Sequence, residues 1–232
     1  MKPNTPSSLE NWRDFFEPVS ATQDLESTTA SPVLPWKESI NFQQLSCWQL
    51  NQTYVLFQLE GVLWILHQQY AHERILYEKF TQAMQGQPLA VQRLLFPIPV
   101  EFSAPDAAML EAMIPDLLQL GFQLEPFGKQ TYVIQGTPAD LKSGQEKQHI
   151  EQLLERVKHF SADLKLDQRE RMLRSLAQQQ SIKPGQSLTQ EGMQSLAAEL
   201  FACSISSTSP SGKPALRQIT SEAFDRFFER LG

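Results

Sequence analysis

Cysteine is scarce in this chain of 232 residues: there are two, Cys47 and Cys203, far apart in sequence. So few thiols exclude a disulfide framework and a cysteine-rich zinc site, and they suit a reducing cytoplasm. Long apolar runs are missing as well. No stretch reaches the roughly 20 apolar residues that span a bilayer, so no membrane role is expected. The first residues, MKPNTPSSLENWRDFF, lack the charged start and apolar middle of a signal peptide. Positive charge is also short. The net charge is −6 and the pI about 5.3. That balance excludes a broad electrostatic grip on phosphates and leaves room only for a local basic patch. No repeat recurs at solenoid periods.

What is present is enough apolar material for a core, 41% of residues, in one large domain or two small ones. Residues 1–40 read as flexible linker. PNTPSS and SATQDLESTTASPVLP are polar and proline-scattered, with one aromatic island, NWRDFFEP, suited to docking. So long a tether ahead of a folded domain implies further chain upstream of Met1. From residue 45 the pattern becomes regular. SCWQL, TYVLFQL and VLWILH are β-prone runs separated by the tight turns NQ and EG. The second and third runs are apolar on both faces, which predicts cover on both. A helix follows in AHERILYEKFTQAMQ, with Ile75, Leu76, Phe80, Ala83 and Met84 on one side. Arg74 and Glu78 are spaced to pair on its exposed side, worth ~0.2–0.5 kcal/mol.

A second unit reads β-α-β-β-α. VQRLLFPIPVEF is a strand interrupted by Pro97 and Pro99, hence an edge or crossover. APDAAMLEAMIPDLLQLG is a helix stopped at Gly121. FQLEPF and TYVIQGTP are strands around FGKQ, and GQEKQHIEQLLERVKHF is a helix. The last third is mostly helical: LDQRERMLRSLAQQQ, then TQEGMQSLAAELFAC capped by Thr189. A turn SGKP, a short strand ALRQI and a helix TSEAFDRFFERL close the chain.

The window HQQYAHERILYE, residues 67–78, holds the most chemistry. His67 ends a strand, and His72 and Glu73 are expected in a first helical turn. A metal that activates water needs about three converging ligands. If a metal binds here, its ligands are His67, His72 and Glu73. Adjacent His72 and Glu73 point about 100° apart on a helix, so one must look away. Otherwise Glu73 complements the helix N-terminus, worth ~0.3–1 kcal/mol, and His72 is solvated.

The AHERILYEKF segment after a buried strand resembles the C-terminal domain of the MutL mismatch-repair proteins. So do GFQLEPFGKQTYVIQGTPADL, RMLRSLAQQQSIKPGQSLTQEGMQSLAAELFAC and SPSGKPALRQI, in order and at fitting distances. The resemblance covers roughly residues 45–232. It implies an α/β (α+β) fold of two subdomains. A dimerisation subdomain would comprise residues 41–90 and 164–232, and residues 91–163 would form an inserted external subdomain. It also implies a homodimer in the cytoplasm that serves mismatch repair. Contacts to the mismatch-recognition protein and DNA would run through the full-length protein. ATP and magnesium would belong to an N-terminal ATPase domain of the family, outside this chain, with no cofactor here.

Nuclease-competent members of that family read Asp-Gln-His-Ala, two variable residues, Glu, four variable residues, Glu. The corresponding residues here are His67, Gln68, Gln69, Tyr70, Glu73 and Glu78. A cysteine position reads Gln178, and the family's Cys-Pro-His-Gly-Arg-Pro turn reads Ser209 to Pro214. Amide and hydroxyl oxygens match thiolate and imidazole poorly for zinc or manganese. His67, Gln69, Glu73 and Glu78 are therefore expected to be remnants, with no catalytic or metal-binding residue in the chain. The alternative is a metal-dependent nicking endonuclease using Glu73, His67 or His72, and Glu78. A family-free alternative is a plain two-layer interaction domain. The segment QRLLFP, namely Gln92, Arg93, Leu94, Leu95, Phe96 and Pro97, matches the sliding-clamp peptide carried at this place by related proteins. Its alternative is ordinary strand core. The arginine-rich DQRERMLR helix is one candidate for DNA, or else a solvated face.

Overall fold

The structure, a computed structural model, describes residues 40–141, 144–160 and 166–229. The aromatic island and the rest of residues 1–39 lie outside the described residues. Two antiparallel sheets and six helices make up the described fold, a mixed α+β architecture.

The first sheet holds β1 (Cys47–Leu50), β2 (Tyr54–Leu59), β3 (Val62–His67) and β7 (Leu216–Ile219) in the order β1-β2-β3-β7. Its two hairpins turn on pairs of residues with positive φ: Asn51 (50°) with Gln52 (47°), and Glu60 (50°) with Gly61 (78°). The β1–β2 loop adds Thr53 to its pair, whereas Glu60 and Gly61 alone form the β2–β3 loop, where two positive φ values match the twist of the flanking strands. One face carries Cys47, Val55, Phe57, Trp64 and Leu66, all buried. It packs on α5 (Gln190–Ala202), whose Phe201 ring meets Phe57, Trp64 and Phe42 at centroid distances of 6.2, 5.4 and 5.4 Å. Among the described residues no element packs over the other face, where its apolar residues had predicted cover. Trp48, Leu56, Ile65 and Arg217 lie side by side across it, next to Leu50, Tyr54 and His67. Trp48 is 60% exposed and Leu50 52%.

The second sheet, β4-β6-β5, comprises β4 (Val91–Glu101), β6 (Thr131–Pro138) and β5 (Gln123–Pro126). With α2 (Ala104–Gln119) and α3 (Glu146–Phe160) it encloses a second core of Val100, Leu110, Met113, Phe122, Ile134 and Leu153. Gly136 sits in the central strand, where a Cβ would meet Val91 Cγ1 at 2.8 Å. Only glycine fits that approach between strands. Ser103 and Asp167 cap α2 and α4 (Gln168–Gln180) by accepting from the N–H groups of Asp106 and Glu170. Such a cap stabilises by about 1 kcal/mol.

Helix α1 (Gln68–Met84) joins the two cores. Ala71 and Ile75 belong to the first, while Leu76, Phe80 and Ala83 belong to the second, together with Met172, Leu173 and Leu176 of α4. The helix begins at Gln68, ahead of the expected start at Ala71, because the His67 ring supplies its N-cap. That places His72 and Glu73 beyond the first turn. The Arg74–Glu78 pair, 4.0 Å apart, is 9% and 17% exposed rather than on the outer side. Both cysteines, Cys47 and Cys203, are buried. Among the described residues, no helix is long and apolar enough to cross a membrane.

Candidate functional site

Strand β3 ends at His67, and α1 starts at the next residue. The His67 Nδ1 accepts a hydrogen bond from the Tyr70 N–H at 3.4 Å. The His67 ring stacks on Tyr70, 3.7 Å between centroids and 12° from parallel, and meets the Tyr54 edge at 5.3 Å. The Lys213 ammonium lies 5.1 Å from the Tyr70 centroid, a cation–π contact. Burial lowers the His67 pKa, as does Lys213, against a backbone hydrogen bond that raises it. The ring nitrogen facing the backbone is therefore occupied as a cap.

Gln68 is fully buried and works as a bolt. Its Nε2 donates to the Gln52 and Lys183 carbonyls at 2.7 and 2.8 Å, and its Oε1 accepts from Gln49 Nε2 at 2.7 Å. It ties the β1-β2 turn to the segment that links α4 and α5. Loss of the amide would strand buried carbonyls at a cost of ~1–3 kcal/mol. Sequence reading placed Gln68 at the Gln position of the family's motif and left this bolting role unseen.

Glu73 is 4% exposed and accepts from Gln69 Nε2 at 2.9 Å. Burial raises its pKa. The Gln69 bond and the positive charges of Lys183, Lys213 and Arg156 pull it down. Glu73 does not complement a helix N-terminus, since it lies in the second turn of α1. His72 is not solvated either: its Nδ1 accepts from the Ile182 N–H at 3.0 Å, and burial lowers its pKa. Glu78 accepts from the Ser204 N–H at 2.8 Å, the Ser204 hydroxyl at 2.9 Å and the Ile205 N–H at 3.2 Å. It holds the turn after α5.

The remaining motif positions carry a different chemistry. The Gln178 Oε1 accepts from Arg156 Nη1 at 3.0 Å, and the Gln178 carbonyl accepts from Lys183 Nζ. In the 209–214 turn, Ser209 and Ser211 hydroxyls bond each other at 2.9 Å, and Ser209 Oγ accepts from the Lys213 N–H at 3.2 Å. Arg74 Nε donates to the Thr208 carbonyl at 2.7 Å, fixing the turn against α1. Among the described residues, no three His, Cys, Asp or Glu side chains gather where they could hold a metal ion. The donors at this place do not fit one: the amides of Gln69 and Gln178 are committed to Glu73 and Arg156.

The QRLLFP segment lies in β4, an edge strand of its sheet. Gln92 and Arg93 pair with Thr137 and Gly136, and pairing resumes at Ile98 with Ile134. Between them the strand leaves its partner. Leu94 packs on the core, while Leu95 is 86% and Phe96 78% exposed. Leu95 and Phe96 are thus not strand core. In the arginine-rich α4, Arg169 makes a two-pronged pair with Asp116 at 2.8 and 3.0 Å, and Arg174 pairs with Glu170 at 2.6 Å. Arg169 and Arg174 thus answer carboxylates of the protein itself.

Residues 47–188 match the family model described as the MutL C terminal dimerisation domain. A protein of Chloroherpeton thalassium described as DNA mismatch repair protein MutL is 37% identical over 188 residues, covering 81% of this chain and 29% of that protein. A protein of the same description from Chlorobium phaeobacteroides is 34% identical over 230 residues, covering 97% of this chain and 37% of the relative. One from Chlorobaculum tepidum is 32% identical over 200 residues, covering 86% and 31%. The chain spans about a third of the length of these relatives. The chain belongs to the family of MutL C-terminal dimerisation domains.

Proposed function

We propose that this chain serves DNA mismatch repair as the part of a MutL-type protein that holds two copies together, and that the copies meet through the open face of the first sheet. The uncovered row of Trp48, Leu56 and Ile65, with Leu50 and Tyr54 beside it, carries this reading. A lone domain gains from burying such a surface, and a two-fold pairing covers it with an identical surface. The closing helix α6 (Ser221–Glu229) adds Phe224 and Phe228, which are 39% and 73% exposed. Ile65 lies mid-face, between Leu56 and Arg217. Ile65→Arg places a charge there and should yield monomers with an unchanged far-ultraviolet circular dichroism spectrum. A folded variant that remains dimeric puts the interface elsewhere.

The exposed Leu95 and Phe96 favour a second role, docking of the β sliding clamp through residues 92–97. An extended peptide with two projecting apolar side chains and a stiffening Pro97 suits an apolar pocket. The chain's own part in repair is scaffolding without strand cleavage, because the motif positions hold amides and hydroxyls rather than soft or imidazole donors.

A further inference from the structure

The open face of the first sheet has an aromatic end and a cationic end. Its middle row runs Trp48–Leu56–Ile65–Arg217 across all four strands. Trp48 stands on the edge strand β1 and Arg217 on the opposite edge strand β7. Three strand spacings, about 14 Å, separate them. Both side chains are exposed. Among the described residues, neither side chain takes part in an ion pair, a hydrogen bond or a ring contact. The neighbouring rows, through Tyr54 on one side and Leu63 on the other, carry no carboxylate. A second copy of this face therefore has no acid of its own rows with which to answer Arg217, and a guanidinium buried without a partner is costly.

Two identical sheets that pack face to face with their strands nearly aligned leave two directions for a two-fold axis lying between them. With the axis along the row, every residue faces its own copy, and Arg217 meets Arg217. With the axis along the strands, between β2 and β3, the row is reversed. Trp48 then faces the partner's Arg217, and Leu56 faces the partner's Ile65, each contact occurring twice. The first arrangement sets like charges together on an apolar surface. The second seats a guanidinium on an indole, the best ring for holding a cation. We infer that the copies meet in the second arrangement, with Arg217 of each lying on the partner's Trp48 and the two-fold axis passing between β2 and β3. Leu56 and Ile65 then form the apolar middle, and a tryptophan–arginine contact closes each end. Tryptophan and arginine are the residue types that concentrate binding energy in interfaces. The inference rests on the reading of the open face as the dimer interface. It adds the register that selects one pairing of two identical surfaces.

The test is an exchange of charge between the two positions, read by sedimentation equilibrium of the 232-residue chain. Trp48→Arg sets two guanidinium groups together at both ends of the row and should weaken the dimer about a hundredfold or more. Arg217→Glu sets a carboxylate against each indole and should weaken it as well. The two changes combined pair opposite charges at both ends, and should return the dimer to within about tenfold of the natural affinity. Such restoration is specific to the reversed row. In the other arrangement the combined variant sets like charges together at both ends. Both positions are exposed, so all three variants should keep the natural far-ultraviolet circular dichroism spectrum. If each single change dissociates the dimer and the combined variant stays monomeric, the register is overturned and the face remains the interface. If Trp48→Arg dimerises as tightly as the natural chain, this face is not where the copies meet, and the inference falls with it. A natural chain that is itself monomeric rejects the dimer reading on which the inference rests.

Discussion

At the scale of single residues, polar side chains of the 67–78 window fasten one part of the fold to another. His72 accepts the Ile182 N–H with Nδ1, which requires a neutral ring. Burial lowers its pKa, Glu199 raises it, and Lys79 and Lys183 lower it further, from an ordinary value of 6.5. The unfolded chain therefore binds the proton more readily than the folded one. The stability this contributes is present above pH 6.5 and lost as the pH falls through the lower folded value. Urea denaturation of the natural protein should show stability falling below that pH. His72→Asn, which keeps an acceptor and cannot titrate, should flatten that part of the profile. An unchanged slope would refute the role given to His72. Glu73 carries the nuclease question. Supercoiled plasmid incubated with the chain, manganese and sliding clamp should remain intact. Nicking that disappears in Glu73→Ala would show that His67 or His72 had replaced the missing donors.

At the scale of elements, the informative feature is the break in β4. Prolines 97 and 99 in the sequence foretell an edge strand with interrupted pairing, and the register does shift between Arg93 and Ile98. The projection of Leu95 and Phe96 follows from that interruption. Changing Gln92 and Leu95 together to Ala should weaken binding to the sliding clamp, measured by surface plasmon resonance, and leave the oligomeric state unchanged. Clamp binding equal to the natural chain's would make the segment purely structural. Strands and helices were otherwise readable, since alternation and helical spacing mark them directly. The start of α1 was not. His67 caps through a ring nitrogen, and Gln68-Gln69-Tyr70 carries none of the usual helix-start residues. The same gap hid the true places of His72 and Glu73.

At the scale of the whole molecule, the sequence announced the apolar strands and left their exposure open. A strand apolar on both faces reads the same whether helices or a second chain cover it; of the cover expected on both faces, the described residues supply one. Light scattering of the natural chain across low to tens of micromolar concentration tests the account most directly. The account predicts a mass of twice the 26.4 kDa chain throughout the upper range. A single-chain mass at tens of micromolar would contradict it.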